Sequence, residues 1–123
     1  MVLGVGTDII EIDRIKKVIE RTPKFLEKIF TDKEINLFES KSMKVESIAG
    51  NFAAKEAISK AIGTGFRKFS FNDLEVLSDE LGKPIVNISD KVKDVLGHEE
   101  VIFHISISHN KSYAIAFVTM EVR

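Results

Sequence analysis

The order of apolar and polar positions predicts a strand at the start of the chain and two helices after it. Residues 2–9 are small and β-branched, a composition typical of a strand. Asp13 is a predicted N-cap, so a helix is expected to begin near Arg14. The segment 31–34 has the Thr-x-x-Glu spacing of a capping box, and a short helix should follow it to about Glu39.

The strongest predicted helix covers residues 44–62. Apolar side chains lie nearly all round it, which is typical of a helix that packs on several sides. Ala53, Ala57 and Ala61 form a strip with a spacing of one turn, and such a strip allows another backbone to approach closely. Gly63 stands where a glycine commonly ends a helix. This segment is therefore expected to be a central, buried helix.

The second half of the chain is expected to consist mainly of strands. The predicted strands cover residues 73–78, 85–88, 101–107 and 113–121. A short helix, capped by Ser89 and ended by Gly97, is expected between the second and the third of them. The segment 109–112 between the last two strands is typical of a hairpin. The whole pattern predicts an α+β fold in which the central helix packs on antiparallel strands, with residues 1–123 as a single domain.

Composition excludes several classes of protein. The chain has 123 residues, enough to bury a core unaided, and it has no cysteine, which excludes disulfides and thiolate metal sites. No apolar run approaches the roughly 20 residues that span a membrane, and we see no secretory signal. The net charge of −1 does not suggest a nucleic-acid binder. We therefore expect a cytoplasmic protein with neither a membrane nor a nucleic acid as partner.

Positive charge is concentrated in one segment of this nearly neutral chain. Residues 14–28 contain only Glu20 and Glu27 as acids. Their basic residues are Arg14, Lys16, Lys17, Arg21, Lys24 and Lys28. On charge alone, a solvated helix face and a docking site for an acidic partner are equally good interpretations.

Two carboxylates stand where packing alone would not favour them. Gly4, Gly6 and Asp8 share one face of the first predicted strand, which leaves room for a ligand or another backbone. Glu56 lies within the apolar central helix, with Lys60 one turn further on. Asp8 could simply end a strand, and Glu56 could form an ordinary helical ion pair. Together, however, the two carboxylates could hold one Mg²⁺ beside a phosphate-bearing substrate.

Two further segments are weaker candidates for phosphate binding. Gly63, Thr64 and Gly65 follow the central helix, where the local sequence alone favours a plain helix stop. Ser108 and His109 end a predicted strand, and they could bind phosphate or merely line a polar sheet surface. The chain contains neither a zinc-protease helix motif nor a nucleophile elbow.

Five segments of the chain match the motifs of one known family. They are GVGTDIIEIDRI at 4–15, FTDKE at 30–34, NFAAKEAISKAIGTGF at 51–66, LGKP at 81–84 and ISISHNKSYAIAFV at 105–118. In this order and combination, they resemble the holo-acyl-carrier-protein synthase family of phosphopantetheinyl transferases. The resemblance extends from nearly the first residue to nearly the last.

The resemblance implies a specific reaction. The chain would transfer 4′-phosphopantetheine from coenzyme A to a serine of an apo-acyl carrier protein and release 3′,5′-ADP, with Mg²⁺ as cofactor. Asp8 and Glu56 would bind the metal and, with Lys60, form the catalytic set; Glu56 or a water on the metal would be the base. Contacts to coenzyme A are expected from Lys60, Gly63, Thr64, Gly65, Ser108 and His109.

The resemblance also implies partners. Members are typically homotrimers with active sites at subunit interfaces, so that Asp8 and the helix with Glu56 would come from adjacent chains. Carrier proteins are usually acidic around their modified serine, which gives the basic segment a function. Its expected carrier-binding residues are Arg14, Lys17, Arg21, Lys24, Phe25 and Lys28.

One position departs from the family pattern. Many relatives carry an arginine where this chain has Asn51, and Lys44 or Arg67 is a candidate substitute. Two alternative functions stay open at this point. One is a broader-specificity transferase that acts on peptide or polyketide carriers, although such relatives are typically about twice as long. The other is a non-catalytic module that only docks an acidic partner.

Overall fold

One strand, four helices and then mainly strands follow one another along the chain, as the sequence broadly predicts. A computed structural model describes residues 1–97 and 100–123. Its strands are β1 Val2–Glu11, β2 Leu74–Ser78, β3 Pro84–Ile88, β4 Val101–His109 and β5 Tyr113–Val122. Its α-helices are α1 Ile12–Arg21, α2 Phe25–Ile29, α3 Asp32–Ser40, α4 Val45–Ile62 and α5 Asp90–Leu96. Two short 3-10 turns, Gly65–Arg67 and Phe71–Asp73, connect α4 to β2.

The strands form two antiparallel sheets. The larger sheet has the order β1-β5-β4, so the strand from the start of the chain pairs with the last strand. The smaller sheet is the hairpin of β2 and β3. The helix α4 packs on the inner face of the larger sheet. The expected α+β fold, with a central buried helix on antiparallel strands, is thus confirmed.

Glycines allow β1 to lie directly against α4. A methyl group built on Gly6 would lie 2.8 Å from the Ala57 carbonyl carbon and closer still to its oxygen. A methyl group on Gly4 would overlap the Ala61 carbonyl in the same way. The alanine strip of α4 therefore admits the backbone of β1, one of the two uses that the sequence suggested for these small residues.

This contact also fixes the direction of β1 and the place of its next inward residue. Two residues of a strand advance about 6.6 Å, and four residues of a helix advance about 6 Å, so the two repeats nearly match. Gly4 lies against Ala61 and Gly6 against Ala57, so β1 runs antiparallel to α4. Asp8, the next residue on this face, consequently lies beside the turn of α4 that carries Glu56.

A buried ion pair joins α4 to the elements around it. The Lys55 Nζ lies 2.7 Å from the Glu34 Oε1, and both side chains are fully buried. The same ammonium donates to the carbonyl oxygens of Ile29, Phe71 and Leu74 at 2.6–3.0 Å. Burial holds the pKa of Lys55 below its ordinary value, and the Glu34 carboxylate opposes this effect. The pair ties α2, α3 and β2 to the central helix.

Glu34 serves two roles at the start of α3. Its Oε1 accepts from the Thr31 backbone N–H at 2.9 Å, and the Thr31 hydroxyl accepts from the Glu34 backbone N–H at 3.2 Å. This is the predicted capping box. The Glu34 Oε2 accepts from the Val76 N–H at 2.8 Å, so the same carboxylate also holds β2.

The start of α1 differs from the prediction. The strand β1 continues to Glu11, which is the N-cap of α1 and makes no side-chain cap hydrogen bond. Asp13 is therefore not the N-cap; it lies in the first turn of α1 and pairs with Lys17 at 2.9 Å. The prediction failed because the cap position depends on where the strand ends, and here Ile12 is already buried as the first helical residue.

The last two strands form the predicted hairpin. Its loop covers residues 110–112, one residue fewer than expected, because β4 includes His109. The Asn110 side-chain oxygen accepts from the N–H groups of Ser112 and Tyr113 at 2.9 and 2.8 Å. This side chain mimics a backbone turn and closes the loop.

The outer face of the larger sheet is apolar and open. Its exposed apolar side chains are Val5, Ile9, Tyr113, Ile115 and Phe117, each 42–62% exposed. Ile9 pairs with Ile115 across β1 and β5, so these side chains form one continuous patch. We call it the outer sheet face. No helix within 1–97 and 100–123 is long and apolar enough to cross a membrane.

Candidate active site

A cleft of about 570 Å³ lies between the end of β1, helix α1 and helix α4. Its polar residues are Asp8, Glu11, Arg14, Glu56, Lys60 and Tyr113. Its apolar wall consists of Ile9, Ile10, Ile15, Val18, Phe25 and Phe52. The cleft thus combines a charged end, made by β1 and α4, with an apolar wall to which β1, α1, α2 and α4 all contribute.

The three predicted catalytic residues lie together at the charged end. The Lys60 Nζ lies 3.2 Å from the Asp8 Oδ1 and donates to the Thr7 carbonyl at 2.9 Å. Asp8 is largely shielded, with 17% of its side chain exposed, whereas that of Lys60 is 53% exposed. Glu56 lies one turn before Lys60 on α4, is half-buried and interacts electrostatically with Asp8.

Burial and charge both act on Glu56. Desolvation raises the pKa of its carboxyl group, the negative charge of Asp8 raises it further, and Lys60 opposes them. Such a pair of facing carboxylates favours either a shared proton or a bound cation, since each charge penalises the other.

The donor set fits a magnesium ion. Mg²⁺ typically uses one or two protein carboxylates and fills its other positions with water and substrate phosphates. Asp8 and Glu56 supply two carboxylates at the edge of an open cleft. Among the described residues, no group of three or more His, Cys, Asp or Glu side chains could hold a metal. Asp8 and Glu56 could therefore supply two of the ligands that an Mg²⁺ ion needs, with water and phosphate oxygens as the others.

Two expectations about this cluster are corrected. Lys60 makes its ion pair with Asp8 and not with Glu56, because β1 places Asp8 directly under the end of the lysine side chain. Asp8 and α4 also meet within one chain, so no adjacent chain is needed to bring the two carboxylates together. The close β1–α4 contact at the two glycines explains both results.

A second cavity of about 410 Å³ lies on the other side of α4, against the two hairpins. Asn51 lines this cavity, and its side-chain amide N–H donates to the Val76 carbonyl at 2.8 Å. The Asn51 side-chain oxygen is buried, and it has no hydrogen-bond partner among the described residues. Lys41 and His109 supply the basic groups of its lining, and Lys44 and Arg67 do not line it. Of the chain's basic residues, Lys41 is therefore better placed beside Asn51 than the two substitutes expected from the sequence.

The other residues expected to contact coenzyme A lie in three places. Gly63 ends α4 with φ 95°, as predicted, and Gly65 has φ 60°; a methyl group on either would meet no atom within 4 Å. Thr64 lies between them, so this turn offers accessible backbone. Ser108 and His109 line a shallow cavity of about 320 Å³ on the outer sheet face, and His109 also lines the Asn51 cavity. The structure does not bring these residues into the Asp8 cleft of the same chain.

The basic segment forms an exposed face beside the cleft. Arg14, Lys17, Arg21, Lys24 and Lys28 are all exposed, and Arg14 lines the cleft itself. Lys17 is neutralised in part by Asp13. Phe25 is half-buried against Phe30 and Phe52, with ring centroids 6.5 and 6.2 Å apart, and it belongs to the apolar wall of the cleft.

The sequence analysis did not identify Lys41 or the unpaired side-chain oxygen of Asn51 as part of a cavity. The only signal was a polar residue, Asn51, within an otherwise apolar stretch of the central helix. Sequence reasoning also gave no role to Lys55, whose partners come from α2, α3 and the segment 71–74. None of these partners is its neighbour along the helix, so helical spacing could not reveal them.

Comparison with known proteins identifies the family. A model of the 4′-phosphopantetheinyl transferase superfamily matches residues 4–118. The chain is 57% identical over 121 residues to a holo-acyl-carrier-protein synthase from Clostridium beijerinckii, and the match covers 98% of each chain.

Two solved structures are similar over almost their whole length. A holo-acyl-carrier-protein synthase from Bacillus anthracis, in complex with CoA (3′,5′-ADP), is 44% identical with a TM-score of 0.83, covering 100% of this chain and 99% of that one. The Helicobacter pylori enzyme, in complex with coenzyme A, is 35% identical with a TM-score of 0.83, covering 95% and 99%. The chain therefore belongs to the 4′-phosphopantetheinyl transferase superfamily, as an enzyme of the holo-acyl-carrier-protein synthase group.

Proposed function

We propose that this enzyme transfers 4′-phosphopantetheine from coenzyme A to a serine of an apo-acyl carrier protein, and that it primes the carrier for fatty acid synthesis. The observation that carries the proposal is the Asp8, Glu56 and Lys60 cluster in an open cleft. Such a cluster suits a reaction in which a charged pyrophosphate must be positioned and its charge stabilised.

The chain's own residues divide the chemistry between them. Asp8 and Glu56 would hold Mg²⁺, which supplies charge stabilisation at the pyrophosphate when bound. The Lys60 ammonium lies at the same end of the cleft, and it would stabilise the negative charge that develops on the pyrophosphate oxygens. The serine oxygen forms a bond to the β-phosphorus, and the bond from that phosphorus to the bridging oxygen breaks. The serine proton passes to a water held by a carboxylate of the pair, and 3′,5′-ADP leaves.

Coenzyme A has three candidate areas of contact besides the cleft. The Asn51 cavity offers an unpaired acceptor oxygen, the ammonium of Lys41 and the ring of His109, a combination that suits an amino-bearing base and a phosphate. The turn at Gly63, Thr64 and Gly65 offers accessible backbone at the end of α4. Ser108 stands at the edge of the outer sheet face beside His109.

We propose that the basic face next to the cleft binds the carrier protein. Arg14 lies on the cleft wall, and the charged side chains of α1 and α2 continue outward from it. An acidic carrier that docks on this face would present its serine to the charged end of the cleft. Phe25 would supply an apolar contact between the basic groups. Electrostatic complementarity of this kind mainly accelerates encounter and sets orientation.

We also propose that three copies of the chain assemble through the outer sheet face. This face exposes five large apolar side chains on one sheet, an arrangement that marks an interaction surface. The cavity with Ser108 and His109 opens on the same face. Assembly there would bring these residues of one copy towards a neighbouring copy, which is how an interfacial coenzyme A site would arise although Asp8 and Glu56 belong to one chain.

The reaction is tested by measuring the intact mass of an apo-acyl carrier protein after incubation with the enzyme, coenzyme A and Mg²⁺. A mass gain equal to phosphopantetheine is expected; it should require Mg²⁺ and be lost with Asp8→Ala and with Glu56→Ala. Asp90→Ala, which removes an exposed carboxylate on α5, serves as the control and should leave the gain intact. No gain on fatty-acid, peptide or polyketide carriers would refute the proposal.

The choice of carrier distinguishes the two catalytic alternatives. Transfer to a fatty-acid carrier alone would support the proposal, and equal transfer to peptide and polyketide carriers would favour the broader-specificity enzyme. The docking surface is tested separately with the double variant Arg14→Glu and Arg21→Glu. The KM for the carrier should rise while coenzyme A binding stays intact, and Lys33→Glu on the exposed side of α3 should change neither.

A further inference from the structure

Lys60 is held at two points in the free protein. Its ammonium lies 3.2 Å from the Asp8 Oδ1 and 2.9 Å from the Thr7 carbonyl oxygen. Lys60 itself is about half exposed, whereas only 17% of the Asp8 side chain is accessible. The lysine thus covers a carboxylate that is otherwise sheltered by β1 and α4.

The same carboxylate is one of the two that would bind the metal. A cation at Asp8 and Glu56 would bring two positive charges next to an ammonium only about 3 Å from the shared oxygen, and like charges at this distance repel. The ammonium and the metal therefore compete for Asp8. Since Lys60 has a long, half-exposed side chain, it can move away from Asp8 without disturbing the packing of α4.

We propose that Lys60 acts as a placeholder for the metal: its ammonium neutralises Asp8 in the free enzyme and transfers to the pyrophosphate of the substrate when Mg²⁺ binds. This inference rests on the proposed function, and it adds a role for Lys60 before substrate arrives. The pyrophosphate would offer the displaced ammonium a new anionic partner, so coenzyme A should favour the metal-bound state.

The consequence is a measurable coupling between the two ligands. Mg²⁺ should bind the free enzyme weakly, because it must displace Lys60, and more tightly once coenzyme A is present to receive the ammonium. By linkage, Mg²⁺ must tighten coenzyme A binding by the same factor. Part of this coupling should disappear when residue 60 carries no charge.

Isothermal titration of Mg²⁺ into the full chain, without coenzyme A, tests the proposal. Lys60→Met should bind Mg²⁺ about three- to tenfold more tightly than the wild type, as expected for removing one partly screened charge. Lys60→Arg keeps the charge and should stay close to the wild-type Kd. Lys93→Met is the matched control, because Lys93 is also an exposed lysine, 60% accessible, that faces an aspartate, Asp90, at 3.8 Å.

A second titration with saturating coenzyme A completes the test. The tightening of Mg²⁺ binding by coenzyme A should be smaller in Lys60→Met than in the wild type. An Mg²⁺ Kd that is unchanged or weaker in coenzyme A-free Lys60→Met would overturn the proposal, and so would a complete absence of Mg²⁺ binding in an enzyme that still modifies its carrier. Failure of the wild type to modify any carrier would instead overturn the proposed function.

Discussion

Lys55 and Glu56 are neighbours in the chain, but they act in different parts of the molecule. Lys55 points into the interior, where four acceptors lie within hydrogen-bonding distance of its ammonium, whereas Glu56 points into the cleft. Successive residues of a helix differ by about 100° in direction, so one turn of α4 can serve both the core and the site. The two residues are therefore expected to respond differently to substitution.

Removing Lys55 should strongly destabilise the fold. Lys55→Met leaves the Glu34 charge buried without a cation and deprives three carbonyl oxygens of a donor. We expect a loss of about 3–5 kcal/mol in the free energy of unfolding. The measurement is urea unfolding at a fixed protein concentration.

An exposed pair provides the control for that experiment. Lys17→Met breaks the exposed i, i+4 pair with Asp13 and should leave the free energy of unfolding almost unchanged, because solvent screens this pair. The double variant Lys55→Met and Glu34→Leu should not recover the lost stability, because the carboxylate also accepts from the Thr31 and Val76 N–H groups. Full recovery would mean that the pair is dispensable once it is replaced as a whole.

Glu56 should make the metal-free enzyme less stable as the pH rises. Burial and the charge of Asp8 raise the pKa of Glu56, so the folded state binds this proton more tightly than the unfolded state. Stability from this group is then complete below the ordinary carboxyl range and is lost as the pH rises through the raised pKa. Glu56→Gln removes the penalty at neutral pH.

The expected result for Glu56→Gln, with EDTA present, is a rise in Tm of about 1–3 °C at neutral pH, small because a half-exposed carboxyl group is screened by water. The difference from the wild type should vanish at a pH below the ordinary carboxyl range. A variant that is less stable than the wild type at neutral pH would contradict the assignment of Glu56 as a desolvated, repelled carboxylate.

At the scale of secondary structure, the contact between β1 and α4 determines the site. The strand has no side chains at Gly4 and Gly6, and the helix offers only methyl groups at Ala57 and Ala61. The two backbones therefore approach closely, and Asp8, the first full side chain after the glycines on this face of β1, emerges at the cleft. The position of Asp8 beside Glu56 and Lys60 therefore depends on Gly4 and Gly6, which have no side chains.

Gly6→Ala should push β1 away from α4. The added methyl group would overlap the Ala57 carbonyl, which is backbone and cannot rotate away. Overpacking of this kind typically costs about 1–3 kcal/mol, and here we expect the upper end or more. We expect thermal unfolding to show a lower Tm than in the wild type, and the Kd for Mg²⁺ should rise.

Gly82→Ala is a suitable comparison for this glycine variant. A methyl group at Gly82 meets no atom within 4 Å, so its cost is limited to about 1 kcal/mol of left-handed backbone strain at φ 86°. If Gly6→Ala and Gly82→Ala lost the same free energy of unfolding, the close β1–α4 contact would not contribute specifically to stability.

Most helices and strands could be predicted because their signals are local. The capping box at Thr31, the glycine end of α4 and the hairpin after β4 each depend on residues within a few positions. The start of α1 could not be predicted in the same way, since the end of β1 is set by pairing with β5, more than a hundred residues away in sequence. The partners of Lys55 could not be predicted either, because they are also distant from it in sequence.

At the scale of the whole molecule, the outer sheet face is an exposed apolar surface. The inner face of the sheet packs on α4, whereas the outer one exposes Phe117 and its apolar neighbours to solvent. The alternating pattern of β5 did not predict an exposed apolar face, because alternation is also typical of a sheet with one solvated face. The Asn51 cavity was equally unpredictable, since it is formed by α4, both hairpins and the end of α3.

A charge placed on this face should prevent the proposed trimer. Phe117→Glu puts a carboxylate among the apolar side chains of β1 and β5, where burial without a partner is costly. We expect light scattering to show a trimer for the wild type and a monomer for the variant, with a Tm that depends on protein concentration only in the wild type.

Ser40→Glu, on the exposed end of α3, should leave the assembly unchanged. A wild type that is monomeric at all concentrations would refute the trimer. A trimer that persists in Phe117→Glu would mean that the copies meet on another surface.

Two residues of β1 advance nearly as far as four residues of α4, and this match limits where insertions and deletions can be tolerated. One amino acid inserted between Gly6 and Asp8 would turn the carboxylate to the opposite side of β1, and one deleted residue would do the same. A single insertion in α4 between Ala57 and Ala61 would rotate the alanines away from the glycines by about 100°. Natural variation should therefore enter these segments as substitutions, while changes in length should collect in the loops around Ser42 and Leu81.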